Sequence, residues 1–240
     1  MDLKEEAILG PAIGSHWYYV AKGRALRAVL GRLRVAEVLD VGAGSGVFAR
    51  QLLDAGVCER AVCVDPGYPE ERIERHRGRE IAFRRSVERV SQGLLLMMDV
   101  LEHVDDDVGL LRSYTGGMPA DARVLITVPA FPFLWSGHDV FLEHRRRYTL
   151  ARLEATVGAA GLQVVRSRYF FGLLLPAVAA MRLADWRRLN AGQIEARSAL
   201  RTYPAPVNRL LILIHDLERA TLFPLNRLGG LSIFCLARRR

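Results

Sequence analysis

Lysine is almost missing from this chain. Of its 34 basic residues only Lys4 and Lys22 are lysines, and arginine supplies the rest. We read that skew as coding bias, so the formal charge of +8 is a weak pointer to phosphate-rich partners. Cysteine is scarce too. Cys58, Cys63 and Cys235 are odd in number, sit in apolar surroundings and lack metal-ligand spacing, which excludes a disulfide framework or a zinc motif and fits a reducing cytoplasm. Long apolar runs are absent. The longest uncharged one, "YFFGLLLPAVAAM" (169–181), is shorter than the roughly 20 residues a spanning helix needs. The N-terminal "MDLKEEAILG" is acidic and poor in apolar residues, so no signal peptide is expected.

What is present is the balance of a folded domain: 240 residues, half apolar and a quarter charged. Short apolar stretches bounded by Gly, Pro or Asp recur at 37–42, 61–65, 81–86, 94–100 and 123–130, mostly separated by helical patterns. That alternation predicts an α/β fold, a Rossmann-like, mostly parallel sheet with helices on both faces. Thr149 is a suitable N-cap for a helix ending at Gly161. Strands at 162–171 and 231–239 then bring the expected count to seven.

About 60 residues separate those last two strands. "LPAVAAMRLADWRR" (175–188) and "VNRLLILIHDLERATLF" (207–223) each have helical periodicity. In the second, Val207, Leu210, Leu211, Ile214 and Leu217 share one face, with Asn208, His215, Asp216 and Arg219 mainly opposite. This predicts a helical insertion rather than a second domain.

The most specific segment is "VLDVGAGSGVFARQLLDAG" (38–56): a strand ending in Asp40, a turn with Gly42, Gly44 and Gly46, then a helix. Glycines let a backbone turn tightly and lie against a ligand. The third glycine comes one position too early for the dinucleotide pattern, which disfavours a nicotinamide. Asp-x-Gly-x-Gly-x-Gly resembles the S-adenosyl-L-methionine (SAM) loop of class I methyltransferases. Asp65, 23 residues after Gly42, and the string "DVLEHV" after the fourth expected strand resemble that family's next two motifs. The resemblance implies that Asp40, Gly42, Gly44 and Gly46 surround the methionine half of SAM. It implies that Asp65 holds the ribose hydroxyls, Pro66 lies near the adenine and Asp99 near the methionine end. Ser86, followed by Val87, stands where the family often has an acid for the adenine amino group, a departure from the pattern. Lys22, in "HWYYVAKGR" (16–24), would reach the cofactor carboxylate, with Trp17, Tyr18 and Tyr19 as a lid; ordinary helix packing is the alternative.

In that fold the fifth expected strand ends at the cofactor, so the loop in "VPAFPFLWSGHDVFLEHRRRYTL" (128–150) should face the methyl acceptor. His138, His144 and His103 are the candidate general bases, histidine being the side chain that titrates near neutrality, and Asp139 could orient one of them. The structural alternative for each is a hydrogen bond to loop backbone. Arg146 and Arg147 suit bracing the loop as well as gripping an anion. Phe133 and Trp135 read as pocket wall. Asp105, Asp106 and Asp107 read as first-turn helix acids rather than ligands, and no metal is expected. The loop also resembles a bacterial subgroup of the family with a general likeness to quinone and polyprenyl-pathway methylases.

The expectation is one methyltransferase domain over 1–240: a helical lid (1–34), a SAM-binding core (35–172), an insertion (173–228) and a final strand (229–240). The expected activity is methyl transfer by in-line displacement to O or N of a small or lipid-like acceptor. The alternatives are an RNA methyltransferase and a non-catalytic SAM-fold subunit. Nucleic acid is disfavoured, because the segment after the fourth strand lacks the N/D-P-P-Y/F string that grips a base amine. The insertion, with Arg182, Arg187, Arg188, Arg201 and Arg209 around it, would serve peripheral contact with an anionic membrane, a lipid channel or a homodimer interface. The expected location is the cytoplasm, with the inner face of the membrane as the variant that the insertion suggests.

Overall fold

The central apolar runs, 38–41, 94–98 and 124–128, are buried on both faces, as strands inside a parallel sheet are. The computed structural model describes the backbone of residues 3–190 and 195–239, and the side chains of these residues except 183–190. After α1 (Leu3–Leu9) and α2 (Trp17–Leu30), β1 (Val35–Val41) lies at the sheet centre. It is flanked in parallel by β2 (Cys58–Val64) and by β5 (Leu94–Met98). Helix α3 (Val47–Asp54) makes the first crossover, and β5 pairs in parallel with β6 (Arg123–Pro129) after α4 (Asp107–Thr115). The short α5 (Gly137–Phe141) sits in the loop, α6 (Leu150–Ala159) precedes β7 (Leu162–Phe170), and β8 (Ser232–Arg239) inserts antiparallel between β6 and β7. Two apolar clusters, one on each face of the sheet, make the core.

The sheet has eight strands, in the order β3-β4-β2-β1-β5-β6-β8-β7, one more than expected. The addition is β3 (Arg72–His76), antiparallel to β4 (Arg79–Arg84), in place of a crossover helix. Its sequence, RIERH, carries charge at three of five positions and a histidine at a fourth, and offers no apolar run, as suits an edge strand. The hairpin signal was local: Arg77 and Gly78 both have positive φ, which a two-residue turn closing on the His76–Arg79 pair requires.

Two further features concern the periphery. In α2, Tyr19, Lys22, Ala25, Leu26 and Val29 are buried in one core cluster or beside it, and Tyr18 and Lys22 reach Asp99 at the end of β5. The insertion is two helices, α7 (Leu175–Asn190) and α8 (Ala205–Thr221), but α8 is turned polar side in. Asn208 accepts a hydrogen bond from the Trp17 amide (2.8 Å), Asp216 pairs with Arg24, and the His215 ring stacks on Trp17. Glu218 is buried, accepting from the Gly172 amide and bonded to His215. The apolar face therefore points outward, with Leu210, Leu213 and Leu217 57%, 65% and 62% exposed. Periodicity finds such a face; the polar partners on α2 decide which way it turns. The side chains of Arg187 and Arg188 lie outside the described residues.

Candidate active site

Strands β1, β2, β5 and β6 all end at the same edge of the sheet, and the candidate residues follow from those ends. After β1 the chain turns through Gly42, Gly44 and Gly46, whose φ angles are +65°, +52° and +72°. A side chain in that left-handed region is strained. At Gly46 a Cβ would also come within 3.1 Å of the Phe83 ring and 3.3 Å of Cys63 Sγ. The turn is tied to the end of β2: the Gly42 amide donates to Val64 O (2.7 Å), the Gly44 amide to Asp65 Oδ2 (3.2 Å), and the Tyr68 hydroxyl to Gly44 O (2.7 Å). Asp65 also accepts from the Gly67 amide (2.9 Å), yet its side chain is only half-buried and a carboxylate has further lone pairs for a diol. Pro66 and Ser86 are exposed and Val87 half-buried. Both of the latter follow β4, whose Arg84 carbonyl accepts from the Asp65 amide.

Asp40 lies beneath this turn, wholly buried, with neither carboxylate oxygen hydrogen-bonded. Burial pushes its pKa up to about 7, with the Asp65 charge adding to the effect. A buried, unpartnered carboxylate under a glycine turn is a place for a cation, which suits a cofactor carrying a sulfonium and an ammonium group.

At the end of β5, Asp99 adopts a positive φ (+57°). Its Oδ1 accepts from Thr127 Oγ1 (3.0 Å) and its Oδ2 from the Tyr18 hydroxyl (3.3 Å) and the Lys22 ammonium. Lys22, expected to reach a cofactor carboxylate, is thus fully buried and engaged by Asp99 and Tyr18. Burial opposes its charge, but Asp99 and Tyr18 outweigh that and raise the Lys22 pKa. Burial likewise opposes ionisation of Asp99, and Lys22 reverses this, holding the Asp99 pKa at about 2.

The loop after β6 brings the histidines together. Asp139, buried in α5, accepts from Ser136 N and Oγ (each 2.9 Å), from Arg147 Nε (2.7 Å) and Nη2 (3.0 Å), and from His144 Nδ1 (2.9 Å). Burial would raise its pKa, but His144 and Arg147 hold it well below the usual carboxylate range. Asp139 therefore keeps the proton of neutral His144 on Nδ1, leaving Nε2 with its lone pair, buried and without a hydrogen-bond partner. The His103 ring meets the His144 ring edge to face at 4.8 Å. His138 stands farther off, its centroid 6.5 Å from that of His144. Its Nδ1 accepts from the Ala199 amide (3.2 Å) and its Nε2 lies 3.6 Å from Glu5. Burial pushes the His138 pKa down to about 4.

The three arginines brace the loop. Arg145 binds the His103 carbonyl and Asp105, Arg146 binds the Asp105 carbonyl, and Arg147 binds Asp139 and the Ala130 carbonyl. The aspartate run has separate local partners: Asp105 pairs with Arg145, Asp106 caps α4, and Asp107 accepts from the Tyr148 hydroxyl. Phe133 is exposed, and Phe131 stacks on Tyr169 behind it.

Residues 16–167 match the family model described as a methyltransferase domain. The chain belongs to that methyltransferase family. It is an enzyme of the SAM-dependent class, and S-adenosyl-L-methionine is its cofactor. No curated protein matches the chain at a significant level. Among solved structures, this methyltransferase shares its fold with a SAM-dependent methyltransferase from Archaeoglobus fulgidus (16% identity, 99% of this chain and 98% of that one, TM-score 0.54). The YcgJ protein of Bacillus subtilis is similar (15%, 91% and 98%, TM-score 0.52). So is phosphoethanolamine N-methyltransferase 2 of Haemonchus contortus (14%, TM-score 0.52), of which 91% of this chain covers only 52%. The chain thus spans about half the length of that enzyme.

Two side chains of this methyltransferase's candidate site escaped the sequence reading, and a third, Tyr18, was read only as part of a lid. Glu102, in the "DVLEHV" string, is wholly buried among the histidines. Thr127 and Tyr18 hold Asp99. Glu102 was legible as part of a motif, but only the fold puts it opposite His144.

Proposed function

We propose that this methyltransferase passes the methyl group to an oxygen or nitrogen of a small or lipid-like acceptor that enters between Asp99 and His144. One observation carries the reading. A five-residue segment, Asp99 to His103, joins the cofactor side of the site to the histidine cluster, so both halves of the reaction meet at the end of β5. SAM, when bound, would supply an electrophilic methyl on its sulfonium for the acceptor lone pair, with the carbon–sulfur bonding electrons returning to sulfur. Asp40 and the glycine turn would hold the methionine half, Asp65 the ribose, and Asp99 with Lys22 a fixed wall beside the sulfur. His144, aimed by Asp139, is the group offered to the acceptor. A nucleic-acid acceptor is disfavoured because Arg145, Arg146 and Arg147 are engaged within the loop.

The exposed apolar face of α8, with Arg201 and Arg209 exposed in and before that helix, supports peripheral contact with an anionic bilayer, from which a quinone- or polyprenyl-like acceptor could be taken. No helix among the described residues is long and apolar enough to cross a membrane.

The test is a panel of phenols, quinols and polyprenyl compounds incubated with labelled SAM. Label in a small or lipid acceptor, lost in His144→Ala while SAM affinity is kept, supports the reading; label only in added RNA would overturn it.

A further inference from the structure

We propose that Glu102, His103 and His144 form a binding site for one divalent transition-metal ion, Zn2+ by the chemistry of its ligands, on the acceptor side of the pocket. One carboxylate oxygen and one ring nitrogen from each histidine lie within 4.8 Å of one another. Glu102 is wholly buried and neither of its carboxylate oxygens has a hydrogen-bond partner. His144 Nε2 is buried and equally unpartnered, 4.0 Å from Glu102 Oε1, too far for a hydrogen bond. Two unsatisfied acceptors facing each other are costly in a folded protein, and an ion between them would satisfy both.

The surroundings are those of a metal site. A ligating imidazole usually donates its other N–H to a carboxylate, which fixes the tautomer and aims the lone pair. Asp139 does this for His144 and is itself locked by Ser136 and Arg147. Glu102 and His103 sit on one short 3-10 turn whose carbonyls are held by Arg145, so the two ligands arrive together. His103 is half-buried and leaves a way in from solvent. Two imidazoles and one carboxylate form a set that suits zinc better than magnesium, which prefers oxygen alone, and three protein ligands leave a position open.

With the ion bound, His144 would act on the acceptor through the ion and not as its base. That open position would take the acceptor oxygen or nitrogen, and the acceptor proton would leave to water past His103 before the lone pair attacks the methyl carbon. This role rests on the proposed methyl transfer between Asp99 and His144. The binding itself does not.

The experiment uses the full chain freed of metal with EDTA. Zn2+ is titrated by calorimetry and Co2+ by visible absorption, and SAM is titrated separately. The parent should bind one ion and melt higher with it. Glu102→Gln, His103→Gln and His144→Gln should each lose about 100-fold or more in affinity, while Asp105→Asn should bind like the parent. Melting without metal checks that each variant is folded, and His103→Gln, at the half-buried ligand, is the one least exposed to that difficulty. A folded parent that binds neither ion, or binds one that the substitutions leave undiminished, would overturn the site. Metal binding without methyl transfer to any acceptor would sink only the proposed role; methyl transfer without metal binding would sink only the site.

Discussion

The ammonium of Lys22, fully buried, rests on Asp99 Oδ2, 77 residues along the chain, with the Tyr18 hydroxyl 3.0 Å from the nitrogen. This pair locks α2 to the end of β5. Asp99→Asn would leave a buried ammonium without its anion and should cost about 3–5 kcal/mol, or roughly 6–20 °C in melting temperature for a chain of this size. Lys22→Met should cost less, because Asp99 keeps Thr127 and some solvent. Because Asp99 is held at about 2, below the usual value, its contribution is present above the unfolded carboxylate range. Stability should therefore fall as pH drops from about 4 to about 2, a loss that urea melts of Lys22→Met should not show.

Asp65→Ala should weaken SAM binding by about 1.5–3 kcal/mol, since it removes a charged acceptor for the ribose hydroxyls. Gly44→Val should abolish binding, because the residue has a φ of +52° and lies in the turn proposed to hold the cofactor. Calorimetry on folded variants checks both. Parental affinity in both would contradict the assigned cofactor turn.

Asp40 should make SAM binding depend on pH. Its pKa is raised to about 7 by burial, so below that value it is protonated and offers the cationic cofactor no charge. Affinity should rise with pH up to about 7 and then level, and Asp40→Asn should flatten the profile. The sign for the free protein is opposite. A raised carboxyl pKa lets the unfolded chain ionise first, so stability should decline from about pH 4 to about pH 7 and hold steady above it.

The two loop histidines should differ. His144→Ala should lower turnover by about 100-fold or more with SAM affinity nearly unchanged. His138→Ala should change turnover little, as its ring nitrogens face the Ala199 amide and Glu5. A larger loss from His138→Ala in steady-state kinetics would reverse the assignment.

Contact with a bilayer should depend on α8. The parent should float with anionic vesicles, and Leu213→Glu with Leu217→Glu should stay in the soluble fraction, because both side chains point outward and neither substitution disturbs the core. Sedimentation separates the competing dimer: a parental dimer that dissociates in the double variant, with no flotation, would assign this face to a second copy.

The sequence by itself determined the parts made of neighbours in the chain. The parallel strands were legible as continuous apolar runs. The glycine turn was legible as a strand, three glycines and a helix, Asp65 by its distance from that turn, and Asp99 by the D-V-L-E-H string that resembles the family's motif. The family followed from those local patterns, which residues 16–167 carry. Tertiary structure decided whatever depends on partners distant in sequence. Strand β3 escaped because an edge strand needs no apolar run, and Ile73 is the one apolar residue in it. The outward turn of α8 was set by Asn208, His215, Asp216 and Glu218 meeting α2 and Gly172, since buried polar groups must find partners while apolar ones can remain exposed. Lys22 was readable as a cation near the site, but only packing supplied Asp99 as its anion. His144 was readable as a base, but its tautomer and its position opposite Glu102 came from Asp139, Arg147 and the fold of the loop onto the turn after β5.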